Sequence, residues 1–156
     1  MVSVGVSKLV CTHLIFVDPG MKINGCYYRE VLLSQQLLPA IWQVSGDFFV
    51  FQQDSALAHR ARKTIKLLLW ETPVFISPDL WPPNSPDLNP VDYKIWGVMR
   101  DWVYQKKVKD VKKLRERLVE VWAGLQQNVI DDAINQWHRR LHACIRATGK
   151  HLEYLL

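Results

Sequence analysis

Residues 81–90 read WPPNSPDLNP, with four prolines in ten positions. Proline lacks a backbone N–H and fixes φ, so this segment can form neither a regular helix nor a central strand. It must therefore be a shaped loop. The loop ends on Asn89 and Pro90, a favoured N-cap followed by a residue favoured at the first helical position. We predict that a helix begins here, with Asp92 in its first turn, where a carboxylate suits the helix dipole.

The chain on either side of this loop differs in its predicted secondary structure. Before the loop, apolar–polar alternation and short β-branched or aromatic runs predict strands, and helical spacing of apolar residues predicts helices. The strands cover 2–7, 13–17, 48–51 and 74–76, and the helices cover 27–38 and 58–70. The first helix should end before Pro39, and the second should turn Ile65, Leu68 and Leu69 inward. After the loop the pattern is helical throughout. Alternating strands and helices favour an α/β fold with a helical C-terminal tail.

Composition and charge exclude several classes of protein. No apolar run approaches the roughly 20 residues of a membrane-spanning helix, and the N-terminus lacks the apolar stretch of a signal peptide, so no membrane partner is expected. Three widely spaced cysteines without a CxxC pair suggest neither a disulfide framework nor a zinc site. The net charge of +5 is uneven: residues 1–99 carry 8 basic and 8 acidic side chains, and residues 100–156 carry 12 and 7. A basic surface favours nucleic acid, although a solvated helical face has the same composition.

Two aspartates follow segments that can deliver a carboxylate to the end of a sheet. Asp54 comes at the end of the strand-like segment 48–54, and Asp92 follows the proline-rich loop. Residues 55–91, 37 in all, separate them, which is about what one helix and one short strand need to return to the same sheet end. Carboxylates at a strand end either cap local structure or bind hard divalent cations, which prefer oxygen ligands. From the spacing alone, both readings stay open.

Two longer segments carry a resemblance to a known family. Residues 51–59 read FQQDSALAH, and residues 80–97 read LWPPNSPDLNPVDYKIWG. The first resembles the second-aspartate motif of mariner-type transposases of the Tc/mariner superfamily, and the second resembles the third-acid motif of the same family. The second match is long, rich in rare residues and correctly placed after the first. The resemblance extends over essentially the whole chain.

This resemblance implies an RNase H-like fold, in which helices flank a mixed central sheet. It implies a DDE/D catalytic domain that cuts DNA at transposon ends and joins the 3′-ends to a new site, using Mg²⁺ or Mn²⁺ held by three acids. By motif match Asp54 is the second acid and Asp92 the third, so both are expected to be catalytic residues and metal ligands. DNA, a second copy or full-length transposase as partners, and a location in the nucleus, also follow from the resemblance.

The sequence departs from the family at the first acid, which lies on a strand before the hairpin that begins this chain. Three acids precede Asp54, and none occupies that position: Asp18, Glu30 and Asp47. We therefore expect an N-terminally truncated chain, in which 1–105 is a partial RNase H-like domain lacking its first central strand. Residues 106–156 should be a helical extension packed on the same domain. We expect weak or absent metal binding, no activity of the chain alone, and marginal stability because two sheet edges lack a partner.

A basic cluster follows the first motif on the second predicted helix: Arg60, Arg62, Lys63 and Lys66. These side chains are expected to contact DNA phosphates, with a solvated helix face as the alternative. His59, at the start of that helix, is expected to form a structural hydrogen bond, and an approach to DNA or a metal stays open. Two other functions also remain: a non-catalytic remnant that binds DNA or pairs with full-length transposase, and a decayed reading frame without a selected role.

Overall fold

The structure is a computed structural model that describes residues 1–81 and 85–147 of the 156-residue chain. It divides into two compact units, Met1–Ser85 and Pro86–Leu156, and the division falls within the proline-rich loop. Residues 82–84, at the centre of the third-acid motif, lie outside the described residues. The boundary expected between 105 and 106 stays a prediction. In the described ranges, no helix is both long and apolar enough to cross a bilayer.

In its described residues, the first unit contains four short strands and three α-helices. These are β1 (Val2–Ser3), β2 (Ile15–Phe16), α1 (Gly25–Tyr27), α2 (Leu38–Ser45), β3 (Val50–Phe51), α3 (Arg62–Glu71) and β4 (Val74–Phe75). A π-helical segment, Tyr28–Leu37, joins α1 to α2 without a break. The helix that sequence periodicity indicates is therefore present, but it is longer than predicted and partly π-helical.

The strands form two separate sheets rather than one. β1 and β2 pair antiparallel, with Val2 opposite Phe16, and this confirms the predicted hairpin. β3 and β4 pair parallel, with Val50 opposite Val74. Among the described residues each strand has a single partner, so both sheets have unpaired edges. Each of these strands is two residues long.

Two details of the helices and strands correct the sequence prediction. The helix does not end before Pro39, because Pro39 falls in the first turn of α2, where proline needs no N–H partner. The turn before it is held by an i→i+5 bond from the Leu38 N–H to the Leu33 carbonyl. The 48–51 segment is also less buried than an apolar run suggests. Phe48 lies before β3 and is 92% exposed.

The third correction concerns α3, which begins at Arg62 instead of residue 58. The hydroxyl of Thr64 donates to the Ala58 carbonyl at 3.0 Å, so a side chain takes the acceptor that a helix starting at 58 would use. The buried face is centred on Thr64 and Leu68, both fully buried. Leu69 lies beside that face and is 63% exposed, so the prediction that it points inward is wrong.

The core of the first unit collects apolar side chains from β2 and the turn after it, the π-helical segment, α2, β3 and α3. It contains Ile15, Val17, Tyr28, Leu32, Leu33, Leu37, Leu38, Phe51 and Leu68. Helical residues supply most of this set, and β2, β3 and the turn after β2 supply the remainder. The burial of leucines from the π-helical segment explains why this helix persists although its local sequence has only weak amphipathic character.

The second unit is helical. Its described elements are a 3₁₀ turn (Pro86–Leu88), a π-helical turn (Val91–Ile95), α4 (Trp96–Val103), α5 (Val111–Ala123) and α6 (Gln127–Ala147). α4 packs against α5, and α6 contacts both the 3₁₀ turn and the π-helical turn. Asp110 caps α5 by accepting the Lys113 N–H at 2.7 Å. The C-terminal helices therefore form a scaffold behind the segment that carries Asp92.

Candidate functional site

Asp54 lies in the loop after β3 and is held by that loop. Its Oδ1 accepts the backbone N–H of Ala56 at 2.9 Å and lies 2.5 Å from Nδ1 of His59. An ionised carboxylate has no proton to donate, so Nδ1 carries the hydrogen and His59 is the donor. The expected structural hydrogen bond of His59 is therefore present, and its partner is the candidate catalytic carboxylate.

Gln53 ties this loop to the π-helical segment of the first unit. The Tyr28 hydroxyl donates to Gln53 Oε1 at 2.7 Å, and Gln53 Nε2 donates to the His59 carbonyl at 3.2 Å. The rings of Tyr28 and His59 are also stacked at a tilt, with centroids 4.1 Å apart. Tyr28 is 4% exposed, so a buried, rigid residue orients the imidazole that contacts Asp54.

These contacts determine the charge state of the site. The hydrogen bond from His59 is the largest cause of a lowered pKa at Asp54, and the Ala56 amide lowers the pKa further, against an opposing effect of burial. Asp54 is therefore ionised at neutral pH. Burial raises the pKa of Tyr28, and the negative charge of Asp54 adds to this rise, so Tyr28 stays a neutral hydrogen-bond donor.

Replacing His59 by alanine should raise the pKa of Asp54 towards its ordinary value, because the main cause of its lowered pKa is removed. A lowered carboxyl pKa adds stability above the unfolded-state pKa of about 3.9, and this stability is lost as the pH falls through the folded-state pKa. The stability that His59→Ala loses through Asp54 should therefore shrink below about pH 4. Carboxyl NMR titration measures the pKa. His13→Ala, at an exposed histidine, is the control and should leave the Asp54 titration unchanged.

Asp92 lies in the first turn of a helix that begins directly after the proline-rich loop, as predicted. Asn89 starts this helix: its Oδ1 accepts the Val91 N–H at 3.2 Å, and its carbonyl accepts the Asp92 N–H at 2.9 Å. The turn Val91–Ile95 is π-helical, with the Trp96 N–H bonded to the Val91 carbonyl. Single π-helical turns are frequent at functional sites. Local sequence therefore positions the start of this helix, and Asp92 is exposed on it.

The two aspartates belong to different compact units, and their meeting at one metal site stays a prediction. The chemistry of Asp54 fits a hard divalent cation, since it supplies an oxygen ligand that its surroundings keep ionised. Within residues 1–81 and 85–147, no group of three or more His, Cys, Asp or Glu side chains is placed to hold a metal ion. The fit is therefore that of individual ligands rather than of a complete site.

The basic cluster lies on the exposed side of α3 and in the turn before it. All four side chains are exposed: Arg60, Arg62, Lys63 and Lys66. The opposite side of α3 buries Thr64 and Leu68. In the part of the chain that the structure describes, none of the four forms an ion pair, so their charges face solvent. This arrangement suits phosphate contacts and equally suits a solvated face.

Two curated nematode proteins are similar to this chain in sequence. The Transposable element Tc3 transposase of Caenorhabditis elegans is 28% identical over 135 residues, which cover 85% of this chain and 40% of the relative. The Transposable element Tcb2 transposase of Caenorhabditis briggsae is 29% identical over 141 residues, covering 88% of this chain and 50% of the relative. The chain thus spans half or less of the length of these relatives. No sequence-family profile matches it.

Solved structures give the fold. The catalytic domain of Mos1 mariner transposase superposes with a TM-score of 0.78 at 21% identity, covering 96% of this chain and 74% of that domain. The Mos1 paired-end complex with the left transposon end gives a TM-score of 0.80 at 22% identity. The match covers 96% of this chain and 44% of the Mos1 chain. The chain is thus similar in sequence to Tc1/mariner transposases and similar in fold to the Mos1 catalytic domain. It has the RNase H-like fold of that catalytic domain.

Part of the candidate site in this chain is not evident from its sequence. The motif at residues 51–59 includes Gln53 and His59, but a linear pattern does not say which groups they contact. Tyr28 lies 25 residues before Gln53, in a helix without any motif. Its participation follows only from the fold, because tertiary packing brings its hydroxyl and ring to the loop that carries Asp54.

Proposed function

We propose that this chain is part of a transposase catalytic domain that, when complete, cleaves and joins DNA by metal-dependent chemistry. The observation that carries the proposal is the ionised carboxylate of Asp54, which follows β3 of an RNase H-like fold inside the segment FQQDSALAH. The similarity to Tc3 and Tcb2 transposases supports the same function.

The residues of the chain would have distinct roles in this chemistry. Asp54 and Asp92 would hold Mg²⁺ or Mn²⁺ through carboxylate oxygens as the second and third acids of the family. When bound, such cations activate a water or a 3′-hydroxyl and stabilise the leaving oxygen of a phosphodiester. His59 keeps Asp54 ionised and fixes its Oδ1, and Tyr28 orients His59. Mos1 catalytic domain has been solved with Mn and with Mg, which supports the choice of ions.

By itself, the 156-residue chain should be inactive. The motif match assigns two acids, Asp54 and Asp92, and the family uses three. With one carboxylate ligand fewer than the family uses, Asp54 and Asp92 would hold the cations weakly. We therefore expect DNA cleavage from a complete domain with three acids and not from this chain by itself.

Supercoiled plasmid incubated with the purified chain in Mg²⁺ or Mn²⁺ should stay uncut, and binding of the cations should be weak. Fe²⁺ can take the place of these cations, and ascorbate with peroxide then cleaves the backbone next to the bound ion. We expect cuts near residues 54 and 92, lost in Asp54→Asn and Asp92→Asn respectively. Nicking that depends on metal and disappears in Asp54→Asn would contradict the inactivity. Wild-type chain without cuts at either position would contradict cation binding by the isolated chain through Asp54 and Asp92.

The second candidate function is DNA binding without catalysis, and the exposed basic side of α3 favours it. Lys66 follows Lys63 by three residues and Arg62 by four, so on this helix it lies beside both of them. We propose that this face and Arg60 contact DNA phosphates. Mos1 has been solved as a paired-end complex with the left transposon end and as a strand transfer complex, which supports DNA as a partner. A second transposase copy as a further partner is part of the proposal. A location in the nucleus is proposed because the substrate would be chromosomal DNA.

Replacing Arg62, Lys63 and Lys66 together by glutamine should weaken DNA binding and its salt dependence. Each phosphate contact contributes a slope of about 0.9 in log K against log salt, so the slope should fall by up to about 2.7. Fluorescence anisotropy with a labelled duplex at several salt concentrations measures this. The control variant replaces Lys106, Lys107 and Lys109 by glutamine, which removes the same charge elsewhere. An equal loss in both variants would contradict a contact specific to α3.

A further inference from the structure

Arg140, on α6, contacts the segment around Asp92 at two points. Its Nη1 donates to the Asp87 carbonyl at 3.2 Å. Its guanidinium carbon lies 3.8 Å from the ring centroid of Tyr93, in a cation–π arrangement. Asp87 precedes Asp92 by five residues and Tyr93 follows it directly, so the two contacts lie on either side of the candidate carboxylate.

The same helix holds Tyr93 in a second way. The Tyr93 hydroxyl donates a hydrogen bond to the carbonyl of Ala133, a fully buried residue of α6. Lys94 and Asp132 form an ion pair at 3.7 Å. Tyr93 is therefore fixed through its hydroxyl and through its ring face.

The turn that carries Asp92 has an uncommon backbone geometry. It is π-helical, and π-helical geometry is rare and mostly limited to single turns. The local sequence fixes its beginning through Asn89, and α6 adds contacts to the residues on either side of Asp92. A metal ligand works only when it is held within about 0.5 Å of the productive position.

We propose that Arg140 is a positioning residue for Asp92, acting through Tyr93 and the Asp87 carbonyl. The inference rests on the proposed function, in which Asp92 is a metal ligand. With this role for Arg140, α6 does more than pack in the core of the second unit, because it also sets the position of the third acid, Asp92. Loss of groups that orient a ligand typically weakens metal binding about 10- to 100-fold.

The test compares Arg140→Met, Arg140→Lys and Arg139→Met in the full 156-residue chain. Methionine keeps the length of the side chain without a donor or charge, and lysine keeps both but not the planar stacking group. Arg139 is the exposed neighbour and serves as the matched control. The readouts are Mn²⁺ affinity from electron paramagnetic resonance, Fe²⁺-directed cuts near residue 92, and helix content from circular dichroism.

We expect Arg140→Met to bind Mn²⁺ about 10-fold more weakly or worse and to lose the cuts near residue 92 while keeping those near residue 54. Arg140→Lys should lie between Arg140→Met and wild type, and Arg139→Met should match wild type. The inference is overturned if Arg140→Met keeps wild-type cuts that Asp92→Asn removes, or if Arg139→Met loses as much. If Arg140→Met loses helix content, Arg140→Lys replaces it, and its wild-type cutting overturns the inference. Unchanged cuts in Asp92→Asn would instead refute the proposed metal site, and the inference with it.

Discussion

Replacing Leu68 by alanine should unfold the first compact unit. Leu68 is fully buried in the core of that unit, and truncation of such a leucine typically costs about 2–5 kcal/mol. Even well-formed domains have only about 5–15 kcal/mol of stability. The two small sheets of this unit have unpaired edges among the described residues, so its stability should lie at or below the lower end of that range. At 25 °C the variant should be largely unfolded.

Leu69→Ala is the matched control, since it removes the same atoms from the next residue. Leu69 is 63% exposed, so this change should alter the free energy of unfolding by no more than about 0.5 kcal/mol. Urea titration followed by circular dichroism measures both variants. Equal effects of the two replacements would contradict the placement of the α3 buried face, and a sharp, cooperative melt of the wild-type chain at high temperature would contradict its marginal stability.

The features that the sequence predicts correctly depend on local chemistry. Asn89 and Pro90 start a helix because one caps the first N–H groups and the other has the required φ, and neither effect needs the remainder of the fold. The hairpin of β1 and β2 is predicted for a similar reason, since alternation and a short connection determine it. The family resemblance is also local, because it depends on two short segments rich in rare residues.

The features that the sequence predicts wrongly depend on packing. Sequence rules predict that the helix ends before Pro39. Pro39 instead lies in the first turn of α2, which follows the π-helical segment. Leu69 looks like a core residue, but the buried face of α3 is centred on Thr64 and Leu68. Hydrophobic periodicity locates the buried face of a helix only to within about one residue. Contacts with the neighbouring elements decide which residues are buried.

The support of both aspartates could not be predicted for the same reason. The Tyr28 contacts to Gln53 and His59, and the Arg140 contacts to Asp87 and Tyr93, join residues 25 to 53 positions apart in the chain. No motif spans such separations. A sequence motif thus identifies the carboxylate, whereas the groups that hold it lie in helices whose own sequences indicate only amphipathic packing.

A chimaera in which the part of C. elegans Tc3 transposase preceding the matched region is placed before this chain should cleave DNA in Mg²⁺ or Mn²⁺. The matched region covers 40% of that relative, so the added part supplies residues that this chain does not align with. Asp54→Asn and Asp92→Asn should each lower the cleavage rate about 10³-fold or more, since metal-assisted stabilisation of the transition state is worth several kcal/mol. Asparagine keeps the shape of the aspartate side chain, and at position 54 its Oδ1 can still accept a hydrogen bond from His59. A lower cleavage rate would therefore result from loss of the negative charge.

Asp87→Asn is the matched control for this experiment. It makes the same chemical change five residues before Asp92, and its contact with Arg140 uses the backbone carbonyl, which asparagine keeps. The cleavage rate of the Asp87→Asn chimaera should stay within a few-fold of the parent chimaera, measured as the initial rate on a labelled transposon-end duplex. A parent chimaera that cleaves while Asp54→Asn and Asp92→Asn remain equally active would show that the metal ligands lie elsewhere. A loss in Asp87→Asn as large as in Asp92→Asn would mean that the third acid cannot be assigned to Asp92 alone.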